Sequence, residues 1–232
     1  MPLPKGAVIH MLYHYDNSAT NARNPNRPPG RVRAGNRATD EMGHLWLQIL
    51  PRGPGDRRRE LQEAVIRHRL VKDPRDFEAH MNLGAIELAR LNAQAAVTEL
   101  REAVRLDATR PEPHNMLGLA LASTGRNMEA IEEYALALRL RPAYGSARFN
   151  LAIALAKAGR VDDAVENLRR VLADDPEDPL AKRHLADALT LRGMLLARDG
   201  ERDRALAEFD EALKLDPENE VARKNREQAL GH

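Results

Sequence analysis

The residues able to do chemistry are few and scattered. Cysteine is absent from the 232 residues, which excludes disulfides, thiolate metal sites and cysteine nucleophiles. Ser18, Ser123 and Ser146 stand isolated, with no base placed to activate them. No glycine-rich loop carries the lysine that a phosphate cradle needs. Paired carboxylates such as Asp162 and Asp163 fall at helix starts, where each favours the helix dipole by about 0.3–1 kcal/mol. Histidine and methionine remain. His10 and His14 lie four residues apart in GAVIHMLYHYD (6–16), whose alternation puts Val8, His10, Leu12 and His14 on one face of a strand. That spacing separates the two rings by roughly 13 Å, too far to hold one ion together. His-x-His occurs nowhere in the chain, and His44, two residues after Met42, reads as a surface residue of the strand-like HLWLQIL (44–50). No catalytic residue is assigned, and the chain reads as non-enzymatic.

The surrounding composition limits the alternatives. Hydrophobic residues make up 43% and aromatics 3%, so there is ample core material in a helix-rich mixture of Leu, Ala, Arg and Glu. The net charge of +1 hides an asymmetry, because residues 1–59 hold ten Lys/Arg against four Asp/Glu. The basic stretch RNPNRPPGRVRAGNR (23–37) lacks aromatic interleaving or a reader motif, so it reads as a solvated loop and no nucleic-acid partner is expected. No apolar run approaches the roughly 18 residues of a membrane span. The opening MPLPKGAVIHMLYHYD does not read as a secretory signal, so the chain as written is expected to be cytoplasmic.

Beyond Asp56 a period of 34 residues dominates: Leu83-Gly84, Leu117-Gly118 and Leu151-Ala152; Ala96, Ala130 and Ala164; Leu100, Tyr134 and Leu168; Ala103, Ala137 and Val171. Pro142 and Pro176 close two units, with Ala108 in the equivalent place, and Gly193, Ala205, Phe209, Ala212 and Pro217 repeat the pattern. Each unit holds two amphipathic helical stretches, parted by Leu91-Asn92, Gly125-Arg126-Asn127, Gly159-Arg160 or Gly200-Glu201. Small residues (Gly84, Gly118, Ala152) allow close approach within a unit, and Tyr134, Leu168 and Phe209 fill the joints. One such unit cannot bury both of its faces, so the units must stack.

These residues resemble the tetratricopeptide repeat family over 77–219, in four units: 77–110, 111–144, 145–178 and 186–219. The resemblance implies an all-α, right-handed α-solenoid of antiparallel helix pairs. Residues 56–76 read as a leading helix from an incomplete unit, and 220–232 as a C-terminal capping helix. Seven extra residues (179–185) precede the fourth unit, extending its first helix to about Pro179–Arg198 either by ordinary packing or as a projecting docking ledge. Arg192 stands where Leu is usual, which loosens that joint or marks an exposed end. In this family the first helix of each unit lines a concave groove for extended peptides or partner helices. By position that groove takes Met81, Ala85, Asn115, Leu119, Phe149, Ile153, Lys157, Thr190 and Met194, with Asn82 and Asn150 placed to bond a peptide backbone. The implied function is a non-catalytic protein–protein interaction scaffold that binds a peptide or protein segment. The Lys/Asn/Arg set that clamps a terminal carboxylate is missing.

Residues 5–52 carry a second resemblance. YDNS, NPNRPP, RVRAG and TDEMG are similar to the C-terminal end of the copper type II ascorbate-dependent monooxygenases, a jelly-roll β-sandwich family with bacterial relatives. Met42 matches that family's copper ligand, and a soft thioether suits Cu(I). Its His-x-His partners are missing, so no metal is expected in this chain, and copper only if the complete domain were present. Residues 1–55 read as a partly disordered remnant of such a domain, because two strands alone are marginal. The alternative function is the C-terminal fragment of a copper-dependent monooxygenase with the repeats as its docking arm, which would place it outside the cytoplasm.

Overall fold

The computed structural model describes residues 58–231, all within the second of two units into which the chain divides, 1–52 and 53–232. The strand-like segments, His10, His14, Met42 and His44 therefore lie outside the described residues. Among the described residues there are ten helices and no strands: α1 (Arg58–Lys72), α2 (Phe77–Ala89), α3 (Ala93–Leu106), α4 (Pro111–Ser123), α5 (Asn127–Leu140), α6 (Gly145–Lys157), α7 (Val161–Asp174), α8 (Pro179–Arg198), α9 (Arg202–Leu215) and α10 (Glu220–Leu230).

Local chemistry sets the helix starts. The Asp76 carboxylate accepts from the Ala79 amide at 3.0 Å, Asp178 from those of Leu180 and Ala181, and Asn219 from that of Ala222. Such caps satisfy amides that have no partner inside the helix. Pro111 and Pro179 open α4 and α8, where a missing N–H costs nothing. At the turn inside each pair the backbone enters the left-handed region at Leu91 (φ 61°), Gly125 (80°), Gly159 (78°) and Gly200 (84°). Glycine takes this conformation without a Cβ penalty, so Leu91 carries strain that the three glycines do not.

Within a unit the helices meet over a small residue facing a large one sixteen positions later. A Cβ on Gly84 would lie 2.6 Å from Leu100, one on Gly118 2.6 Å from Tyr134, and one on Gly193 2.6 Å from Phe209. In the third unit Ala152 and Leu168 occupy these places and share one buried cluster. Burial of each large partner removes its side chain from water, about 1.5–3 kcal/mol for a Leu or Phe. Burial also pushes the Tyr134 phenol up, since the phenolate cannot be hydrated there.

Contacts between helices define the architecture. Every helix packs on the next, and in addition α2 meets α4, α4 meets α6, α6 meets α8 and α8 meets α10. Among the described residues the backbones of α3, α5, α7 and α9 do not approach one another, and only long side chains span the gaps, Arg101 of α3 to Glu129 of α5 at 3.3 Å and Arg169 of α7 to Glu211 of α9 at 2.8 Å. The first helices of the pairs are therefore drawn together and the second helices splay apart, which curves the stack with α2, α4, α6 and α8 inside. The fold is an α-solenoid of antiparallel helix pairs.

The long α8 serves two registers. Leu185 and Ala186 follow Leu151 and Ala152 by one period and pack with Val165 and Leu168, while Gly193 further along faces Phe209. Seven residues make nearly two turns and shift the face by only about 20°, so one helix satisfies both neighbours. Ala181 and Leu185 are buried, so the first two turns are packed rather than projecting. The joint at Arg192 is held by charge: its guanidinium lies 2.7 Å from Glu208 of α9 and 3.4 Å from Asp162 of α7.

Candidate functional site

On α2 and α4 a repeated polar hook locks the groove-facing helix to its partner. His80 Nδ1 lies 2.8 Å from Glu99 and its Nε2 3.2 Å from the Pro74 carbonyl. His114 repeats this with Glu133 at 2.7 Å and the Ala108 carbonyl at 3.1 Å. In the same place on α6 and α10, Arg148 and Arg223 donate to the carbonyls of Pro142 and Pro217. Each hook ties the start of its helix to the turn before it, and on α2, α4 and α6 it fixes the roll of the helix and the face it offers the groove.

Three depressions bear on the groove. The first, about 310 Å³, is lined by Asn82, Ala85, Ile86 and Ala89 of α2 with Gln62 and Arg90. The second, about 200 Å³, lies between α6 and α8 and holds Ile153, Ala156, Lys157, His184, Asp187 and Leu191. The third, about 420 Å³, joins Phe149 and Asn150 to Val171, Asp174, Asp178 and Leu180. A ring contact separates the last two, Phe149 meeting His184 edge-on with centroids 5.4 Å apart.

The groove positions expected from the sequence divide by burial. Asn82, Ala85, Phe149, Asn150, Ile153 and Lys157 line these depressions. Leu119 and Met194 are exposed on α4 and α8, whereas Met81 packs against the core. Asn115 is only 9% exposed, and its amide donates to the Tyr144 hydroxyl at 3.4 Å while accepting from Asn150 at 3.1 Å. Thr190 is buried at 3% exposure, its hydroxyl donating to the Ala186 carbonyl, so it offers no surface to a ligand. His184, Asp187 and Leu191 escape a sequence reading that starts the fourth unit at residue 186. Continuing the period without a gap places them after Asn150, Ile153 and Lys157, so the signal lies in the spacing.

Electrostatics around the groove is local. The Arg90 guanidinium, then that of Arg67, holds the Glu63 carboxyl below the usual carboxylate range. The Ala79 amide does the same for Asp76, helped by Arg69 at 2.8 Å. Among the described residues no three His, Asp or Glu side chains are grouped to hold a metal ion, and no helix is long and apolar enough to cross a membrane.

Comparison with known proteins agrees with this geometry. The solved structure of YrrB, described as a TPR protein with an unusual peptide-binding site, is 21% identical with a TM-score of 0.60, covering 72% of this chain and 83% of that one. MamA superposes at TM-score 0.57 and 23% identity, over 72% of this chain and 97% of its own. MamA 41-end from Desulfovibrio magneticus RS-1 gives 0.52 and 25%, over 67% of this chain and 90% of its own. No curated protein matches the sequence significantly. The family model described as tetratricopeptide repeat matches residues 58–111, 115–179 and 149–220, well over half of the chain. With paired helices, a small-on-large joint in every pair and first helices gathered on the inner face, the chain belongs to the tetratricopeptide repeat family.

Proposed function

We propose that this chain is a non-catalytic interaction scaffold that holds an extended segment of a partner protein against α2, α4, α6 and α8. The observation that carries this reading is the inner series of first helices, each touching the next, with depressions at both ends of the series. An extended peptide needs such a run of adjoining pockets, because its successive side chains are delivered about every 3.3 Å. Asn150 supports the role: its amide nitrogen is committed to Asn115, and among the described residues nothing donates to its amide oxygen. That oxygen is free to accept from a peptide N–H. YrrB, similar in fold, is described as having a peptide-binding site.

The test is a peptide array probed with the full chain, repeated with Ile153→Lys and Leu119→Glu. Binding of a subset of peptides, lost in both variants while far-UV circular dichroism stays unchanged, is the expected result. An array with no signal above background, or binding indifferent to both substitutions, removes the groove from consideration.

A further inference from the structure

Resting on that groove reading, we infer that the crevice between α6 and α8 selects a partner segment carrying an aliphatic residue and a lysine or arginine three positions apart. The crevice has two chambers of opposite character on either side of the Phe149–His184 contact. One is small and mostly apolar, walled by Ile153, Ala156, Ala188 and Leu191. Its volume of about 200 Å³ suits one branched aliphatic side chain.

The other chamber has an apolar floor of Phe149, Val171 and Leu180 and a rim of Asp174, Asp175 and Asp178. Leu180 is 57% exposed, a large apolar surface left open beside three carboxylates. Asp178 is engaged in capping α8, and nearby Glu177 is neutralised by Lys182 at 2.7 Å. Asp174 and Asp175 have no cationic partner among the described residues. An apolar floor under uncompensated carboxylates fits a long basic side chain, whose methylenes lie on the floor while its head reaches the rim. An acidic side chain is repelled there.

The spacing follows from α6, which supplies both chambers. Gly145, Ser146, Phe149 and Asn150 line the acidic one, and Ala152, Ile153, Ala156 and Lys157 the apolar one. Their centres lie about seven residues apart, or about 10 Å at 1.5 Å per residue. In an extended polyproline-type segment, residues three apart point the same way and lie about 9 Å apart. Neighbouring residues in such a segment cannot fill both chambers.

The experiment is selection of phage-displayed random dodecapeptides on the full chain, followed by fluorescence anisotropy of the winners. Expected are peptides enriched in Leu, Ile or Val three positions from Lys or Arg, with affinity falling as salt rises. Asp174→Asn with Asp175→Asn weakens them about tenfold, and Leu180→Lys, which leaves both carboxylates in place, weakens them as well. Winners that are neutral or acidic, or basic winners indifferent to both variants, overturn this inference while leaving the groove reading intact. Failure to enrich any peptide overturns both.

Discussion

Replacing Gly118 by alanine places a methyl group against the buried ring of Tyr134. Its Cβ would lie 2.6 Å from Cε1 of Tyr134, 2.8 Å from Cδ1 and 3.0 Å from Cζ. Ordinary contact requires the ring to withdraw by nearly 1 Å, yet Tyr134 is 1% exposed and packed on all sides. Overpacking of this kind costs about 1–3 kcal/mol, and a flat ring that cannot fold away belongs to the upper half of that range. Against it stands the helix propensity of alanine over glycine, about 1 kcal/mol. The net expectation is a loss of about 1–2 kcal/mol. Tyr134→Leu alone is also destabilising, because the smaller side chain fills less of the buried joint. The double variant G118A/Y134L recreates the native Ala152–Leu168 pair of the third unit, in which an alanine and a leucine share the joint. Urea unfolding followed by far-UV circular dichroism on the four proteins closes the cycle. Coupling of at least about 1 kcal/mol in favour of the double variant is expected. Additivity within about 0.5 kcal/mol, the usual behaviour of independent sites, refutes the small-on-large joint as the stabilising contact.

Three further outcomes follow from other contacts, and a fourth from the carboxylates. Leu91→Gly relieves a left-handed leucine that is 92% exposed; the strain of about 1–2 kcal/mol is partly offset by glycine's unfolded-state entropy, so a gain of about 0.5–1 kcal/mol is expected in the same denaturation assay. Gly125→Ala moves the other way by about 1 kcal/mol although nothing lies within 4 Å of the new methyl, because the cost is conformational. Arg192→Ala strands Glu208 and destabilises more than R192L/E208Q, which replaces the pair; equal losses in thermal unfolding count against a pair that bridges the joint. The lowered carboxyls of Asp76 and Glu63 contribute stability that is present above their unfolded range near pH 4 and lost as the pH falls through their lower folded values. The acid limb of a pH–stability profile therefore falls below about pH 4, and Asp76→Asn flattens it; an unchanged limb excludes Asp76 as a source.

The repeat is legible because its signals are local and recur. A helical phase, a small residue and a large partner sixteen places on are written into each unit, so the 34-residue period, the helix pairs and the all-α solenoid are determined by the sequence alone. The hooks are legible in principle too, since His80 and Glu99 recur as His114 and Glu133 with equal separation, yet nothing in a spacing says that two polar groups touch. The groove depends on tertiary structure to a greater degree. Thr190 and Asn115 have the right phase to face it, but the neighbouring helices close over them, and burial is a property of the neighbours. Arg192, odd by its place in the repeat, becomes reasonable only beside Glu208 and Asp162, which belong to two other helices. The two-register packing of α8 likewise rests on both flanking pairs at once. Periodicity fixes which way a side chain leaves its own helix; only the assembled stack decides whether it meets water, a charge or a packed wall.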